Sequence, residues 1–205
     1  MGDKPLIVAM DLEGVLVPEI WINFAIKTGI EELKMTTRDE PDYDKLMKRR
    51  IKILEEHNLK LKDIQEVIES IEPLEGAEEY LNWVRMKTQA VILSDTFYEF
   101  AKPLMAKLNY PTLFCNSLIV DTDGNIVDYR LRIKDGKKKA VVAFKGLGFE
   151  VVAIGDSYND TTMLAEADRG ILFRPPENVI EEFPQFPVMQ RYQEIKEFLS
   201  YNYNL

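Results

Sequence analysis

Three short apolar runs each stop at a polar cluster, and this pattern constrains the fold more than any other feature of the chain. Residues 5–10 (PLIVAM) lead into Asp11-Leu12-Glu13-Gly14, and residues 89–93 (QAVIL) lead into Ser94-Asp95-Thr96. Residues 151–154 (VVAI) lead into Gly155-Asp156-Ser157-Tyr158-Asn159-Asp160. Runs that are apolar at successive rather than alternate positions belong to strands covered on both faces, as in a parallel sheet. Weaker runs at 112–115 and 170–173 have the same character. Between them lie helical patterns: Ala77, Tyr80, Leu81 and Val84 share one face, as do Met163, Leu164 and Ala167. Strands alternating with helices predict an α/β chain with a doubly wound parallel sheet.

Two segments interrupt the alternation. Residues 18–75 carry no strand pattern but three helical ones. Pro18 opens the first, with Ile20, Trp21, Phe24 and Ala25 on one face; the second holds Leu46, Met47, Ile51 and Leu54. The third starts at Asp63, with Glu66 three positions on as in a capping box, and continues through Ile64, Val67, Ile68 and Ile71. A small helical cap over 16–75, inserted after the first strand, and a core of 1–15 and 76–205 are therefore expected. The other interruption, residues 117–133 (SLIVDTDGNIVDYRLRI), places apolar runs around a Thr-Asp-Gly-Asn turn and predicts a β-hairpin.

Bulk properties exclude several classes. With 205 residues, 46% hydrophobic and 30% charged, one domain carrying an insertion is expected. A formal net charge of −9 gives no electrostatic support for sequence-independent binding to nucleic acid or anionic lipid. No apolar run approaches the roughly 18 residues of a membrane span. The start, Met1-Gly2-Asp3-Lys4-Pro5, lacks the form of a signal peptide, and Leu6 stands where a myristoylation pattern needs Ser or Thr. A cytoplasmic protein is the expectation. The single cysteine, Cys115, precludes an internal disulfide and is read as an inert core thiol. His57, the single histidine, is read as a helix-end residue.

In a doubly wound sheet, ligands bind beyond the carboxyl ends of the strands. There Asp11, Glu13, Asp156 and Asp160 would crowd a small volume with up to four like charges, which is unfavourable without protons or a cation. A hard divalent ion with oxygen ligands, Mg²⁺, answers that conflict. Ser94, Thr96 and backbone N–H groups can then hold phosphate oxygens, and a lysine can neutralise further charge. Arg50 stands out for a separate reason. It lies midway between Leu46 and Leu54, so it projects from the apolar face of its helix and needs a partner. A bidentate carboxylate suits it; snorkelling or an internal ion pair is the plainer alternative.

Four motifs in order resemble the haloacid dehalogenase superfamily of phosphotransferases. Asp11-Leu12-Glu13-Gly14-Val15-Leu16 stands where the family has Asp-x-Asp-x-[Thr/Val]-[Leu/Val]; VILS ends in Ser94; a lysine falls within KKKAVVAF; and GDSYND closes the set. The resemblance implies that Asp11 attacks phosphorus and that Glu13 is the general acid and base. It implies a Mg²⁺ held by Asp11, the Glu13 backbone carbonyl and Asp156, with Asp160 ordering the metal's surroundings or the lysine. Lys137 is the favoured lysine, with Lys138 close behind and Lys139 third in the run. Ser94, Asp95, Asn159 and Lys137 are assigned to substrate; Ser94 and Asn159 or Asp160 also suit helix N-caps. Glu13 departs from the family pattern, which has Asp there. Either the backbone accommodates the extra methylene or the acid/base step is altered, and the latter would favour transfer to an alcohol over hydrolysis.

Within the superfamily, DLEGVLVPEIW, SDTFYEF and GDSYNDTTML resemble the phosphoserine-hydrolysing members. Glu19 and Arg50 then match readers of the substrate's ammonium and carboxylate; for Glu19 the plainer reading is a first-turn acid favoured by the helix dipole. The function so implied is hydrolysis of O-phosphoserine through an aspartyl-phosphate, with homoserine as a second acceptor; separately, exposed apolar surface on the cap or hairpin would allow a homodimer. The alternatives are a phosphatase of another small phosphometabolite, or a phospho-acceptor signalling or binding module.

Overall fold

In the computed structural model, which describes residues 4–36, 39, 40 and 42–205, strand β1 (Leu6–Met10) is buried at every position. Residues 1–3, on which part of the N-terminal reading falls, lie outside the described residues. β1 pairs in parallel with β2 (Gln89–Phe97) on one side and β5 (Glu150–Gly155) on the other. With β3 (Leu113–Val120), β4 (Ile126–Arg130), β6 (Arg169–Phe173) and β7 (Val188–Met189), they form one sheet of order β4-β3-β2-β1-β5-β6-β7. All pairs are parallel except β3 with β4, the hairpin expected around the Asp-Gly-Asn turn. Side chains alternate across β1. Leu6, Val8 and Met10 join one core cluster, and Ile7 and Ala9 join the other, so the sheet is covered on both faces.

The helices follow the expected order. α1 (Ile20–Thr28), α2 (Tyr43–Glu56) and α3 (Leu61–Glu69) fill the insertion. α4 (Ala77–Lys87), α5 (Tyr98–Lys107) and α6 (Gly136–Gly146) follow, then α7 (Thr161–Glu166), α8 (Glu177–Glu182) and α9 (Tyr192–Tyr203). Phe24, Met47, Leu54, Ile64 and Ile68 belong to the same apolar cluster as Val8 and Met10, so the insertion shares one continuous core with the sheet. The β3–β4 hairpin reaches over to it. The Tyr129 hydroxyl bonds Asp44 Oδ1 at 2.8 Å, the Leu61 N–H donates to the Gly124 carbonyl at 3.0 Å, and Lys60 Nζ to that of Asp123 at 2.9 Å. Among the described residues, no helix is long and apolar enough to cross a membrane.

Several local expectations are corrected. α1 opens at Ile20 rather than Pro18, with Glu19 in the N-cap position and making no side-chain cap bond. α3 opens at Leu61, so Asp63 is its third residue; its carboxylate accepts the Lys60 backbone N–H at 2.7 Å. β2 continues past Leu93 to Phe97, with an irregular register against β3 between those residues, so Ser94 is a strand residue and caps no helix. His57 directly follows α2, and Cys115 is buried, its thiol pushed up to about 12 by burial and then by Glu99.

Candidate active site

Sheet register alone brings the three polar clusters together. Met10 stands level with Ile92 and Ile154, so Asp11, the Ser94-Asp95-Thr96 segment of β2 and Gly155-Asp156 come together at the same, carboxyl end of their strands. The Asp11 N–H donates to the Ile154 carbonyl at 2.9 Å and fixes this exit. The chain then winds tightly, with the N–H groups of Leu16 and Val17 both donating to the Leu12 carbonyl. Gly14 has a φ of +76°, and a Cβ there would lie 2.4 Å from the Asp156 carboxyl carbon. Only glycine meets both demands.

Asp11 is 4% exposed; its Oδ1 accepts the Leu12 N–H at 2.7 Å and its Oδ2 faces Lys137 Nζ at 2.9 Å. The same ammonium lies 2.8 Å from Asp160 Oδ1 and 3.3 Å from Asp95 Oδ2. Burial works against the Lys137 charge, but Asp11, Asp160 and Asp95 carry its pKa well above the usual lysine value. Lys138 instead lies 3.8 Å from Glu166 on the surface, and Lys139 is exposed. Of the three lysines, Lys137 is the one at the acids.

Asp160 is fully buried, and its Oδ2 accepts the backbone N–H groups of Asp156 (3.0 Å) and Ser157 (3.2 Å). With Lys137 on Oδ1, its carboxylate is already well supplied with donors. Asp160 stands at the N-cap position of α7 without a side-chain cap bond there, and its bond to the Ser157 N–H closes the capping box of the short 3₁₀ turn Tyr158–Asp160. Carboxylate oxygens of Asp11, Asp156 and Asp160 lie within 4.8 Å of one another. Burial, then Asp160, raises the Asp11 pKa well above the ordinary range, with Lys137 opposing. Burial, then Asp160 and Glu19, pushes Asp156 up to about 7. Asp11 and Asp156 thus resist ionisation, and an all-oxygen cluster of this kind is suited to a hard divalent cation; these two are also the members with fewest donors already bound.

Glu13 points elsewhere. Its Oε2 accepts the Ile20 N–H at 2.9 Å, so the longer side chain reaches the first turn of α1, outside the three-acid cluster. Burial, then Glu19, pushes its carboxyl up to about 8. Across a cavity of about 330 Å³, lined by Asp11, Glu13, Glu19, Ser94, Lys137 and Arg50 among others, the cation of Arg50 is 7% exposed. Its Nη2 donates to the Met35 carbonyl at 2.8 Å and its Nε has no acceptor. Arg50 makes no ion pair among the described residues, and burial pulls its pKa to about 10. Thus every predicted site residue reaches this region: Asp156 and Asp160 lie in the acid cluster, and Asn159 Nδ2 bonds Asp95 Oδ2 at 3.3 Å.

Sequence reasoning missed Trp21 and Tyr43, both of which line the cavity. Trp21 shares helical spacing with Ile20 and Phe24, which reads as core. Tyr43 sits at the start of α2, next to Asp42, and only tertiary packing brings its hydroxyl to the Asp95 carbonyl at 3.4 Å.

Comparison with known proteins agrees with this geometry. A family model described as haloacid dehalogenase-like hydrolase matches residues 6–168. The chain is 62% identical over 195 residues to phosphoserine phosphatase ThrH of Pseudomonas aeruginosa, covering 95% of each protein. It is 61% identical to a phosphoserine phosphatase of Pseudomonas syringae pv. tomato, covering 95% of this chain and 82% of that one. Among solved structures, a phospho-aspartyl intermediate analogue of phosphoserine phosphatase superposes with a TM-score of 0.78 at 22% identity, over 95% of this chain and 99% of the other. That last likeness is one of fold.

Proposed function

This chain belongs to the haloacid dehalogenase-like hydrolase family, and from that premise we propose that it is a cytoplasmic, Mg²⁺-dependent phosphoserine phosphatase. The observation that carries the reading is the pairing, across one cavity, of a buried carboxylate at a strand end with a buried arginine that lacks a carboxylate partner. O-phosphoserine supplies what each lacks: a phosphoryl group for Asp11 and a carboxylate for Arg50.

Asp11 Oδ attacks phosphorus, and the bond from phosphorus to the serine oxygen breaks. Glu13, whose raised pKa keeps it protonated near neutral pH, gives its proton to that departing oxygen. The resulting Glu13 carboxylate then takes a proton from water, whose oxygen attacks the phosphoryl group. The bond to Asp11 breaks, and phosphate and free Asp11 result. Lys137, with Ser94, Asp95 and Asn159 around it, orients the phosphoryl oxygens and offsets their charge, while Asp160 holds Lys137 and the turn after β5. Glu19 faces the substrate ammonium and Arg50 its carboxylate. A bound Mg²⁺, held by Asp11, Asp156 and the Glu13 carbonyl, supplies charge neutralisation on the phosphoryl oxygens.

An acceptor must enter where serine leaves, because attack on the aspartyl-phosphate retraces the departure of the first alcohol. Homoserine has the same ammonium and carboxylate with one more methylene, so the same readers serve it as a second acceptor. In this reading residues 16–75 form a cap over the core of 1–15 and 76–205. The exposed Ile119, Val127 and Leu131 of the hairpin region support a homodimer, which sedimentation tests. The deciding experiment incubates the protein with O-phosphoserine, Mg²⁺ and increasing homoserine, following phosphate and phosphohomoserine together. Both products are expected, and Asp11→Asn is expected to lower their formation by about 10⁴-fold or more. No product from phosphoserine would overturn the assignment.

A further inference from the structure

The ring of Trp21 carries the Arg50 guanidinium on its face, with 4.4 Å between the guanidinium carbon and the ring centroid. Resting on the phosphoserine reading above, we propose that Trp21 is a positioning residue for Arg50 and thereby sets selectivity for substrates bearing a carboxylate. Three observations carry this. Arg50 is buried yet has no ion-pair partner among the described residues, so the aromatic face, the Met35 carbonyl and the Met47 sulfur are what hold it. A cation taken out of water is held by the negative face of an indole more strongly than one at the surface. The planar contact uses the face of the guanidinium and leaves hydrogen bonding to its edges, where Nη1 and Nη2 meet Met47 and Met35 and Nε has no acceptor. An edge with a free N–H is how arginine receives a carboxylate.

The ring is itself fixed from two sides. It meets Phe24 edge-on at 6.4 Å within α1 and Phe100 of α5 at 5.4 Å. Trp21 therefore ties the helix carrying Arg50 to the helix that follows the Ser94-Asp95-Thr96 strand end. It also stands one residue after Ile20, whose N–H is bound by Glu13. The start of α1 thus holds the acid, through Ile20, and the carboxylate reader, through Trp21. A packing residue alone would not be stacked on a cation that lines the cavity.

The test compares O-phosphoserine with O-phosphoethanolamine, which keeps the ammonium and phosphate but lacks the carboxylate, in wild type, Trp21→Leu and Trp21→Phe. Wild type is expected to favour phosphoserine. In Trp21→Leu the ratio of kcat/KM for phosphoserine to that for phosphoethanolamine is expected to fall roughly tenfold, carried by KM for phosphoserine. Phe, a weaker cation-holding ring than Trp, is expected to give an intermediate ratio. A purely structural role predicts equal losses on both substrates, and that result overturns the inference. Should Trp21→Leu fail to fold by thermal unfolding, a Trp21→Phe ratio equal to that of wild type overturns it instead. Equal use of the two substrates by wild type would overturn the carboxylate reading of Arg50 and this inference with it. Discrimination that persists undiminished in Trp21→Leu would overturn the inference about Trp21 alone.

Discussion

Lys137 faces three carboxylates at once, two of them on residues that are almost wholly buried. Replacing it leaves Asp11 and Asp160 in a low-dielectric pocket without their cation. Lys137→Met is expected to lower unfolding free energy by about 3–5 kcal/mol, the usual penalty for orphaning buried charge, read from urea midpoints. Glu13 raises a different question, since an aspartate there would serve the same proton transfer. Its extra methylene is what brings Oε2 to the Ile20 N–H. Glu13→Asp is therefore expected to release the first turn of α1 and shift products from phosphohomoserine toward free phosphate, measured in one competition assay. An unchanged ratio would remove any role for side-chain length.

At the scale of elements, the insertion is held by apolar packing that it shares with the sheet. Ile68 of α3 is fully buried in that common cluster, and α3 lies against α5. Ile68→Ala is expected to cost about 2–5 kcal/mol and to raise proteolytic cutting between α2 and α3 before the rest of the chain is cut. Strands and helices were legible because their signals are local. Successive apolar residues mark buried strands, and helical spacing marks amphipathic faces. Element ends were less legible where a neighbour overrides the local signal. β2 runs on to Phe97 because β3 supplies partners beyond an irregular step, and nothing in VILSDTF announces that. The acids of the candidate site were legible for a related reason: Asp11 and Asp156 directly follow strands, where topology gathers them, whereas Arg50 and Lys137 are helical and were picked out by an odd polar residue on an apolar face and by the resemblance. Trp21 was not, because an aromatic at helical spacing looks the same whether it faces a core or a cation.

For the whole molecule, the balance of protons and cation sets the pH response. Asp156 has an ordinary value of 3.8 and a folded one near 7, and Glu13 moves from 4.5 to about 8. Folding without metal therefore takes up protons. The stability linked to these groups is present below about pH 4 and is lost as pH rises toward 8. A divalent cation held by Asp156 replaces the proton there, so its stabilisation should grow as pH rises through about 7. Thermal unfolding with Mg²⁺ and with chelator is expected to diverge at pH 8 and converge near pH 5. Equal divergence at both values would contradict the coupling.

The grip of the hairpin on the insertion has a consequence for how the chain becomes folded. Lys60 meets the carbonyl of Asp123, 63 residues further along the chain. Leu61 binds Gly124 in the same way, at the very start of α3. Closing so long a loop is entropically unfavourable until most of the intervening structure exists, so these contacts form late. During synthesis α2 and α3 emerge well before the strands that will clasp them. For that interval α3 and α2, which brings Tyr43, Leu46 and Arg50 to the cavity, lack their clasp, and completing the hairpin is the event that locks them down.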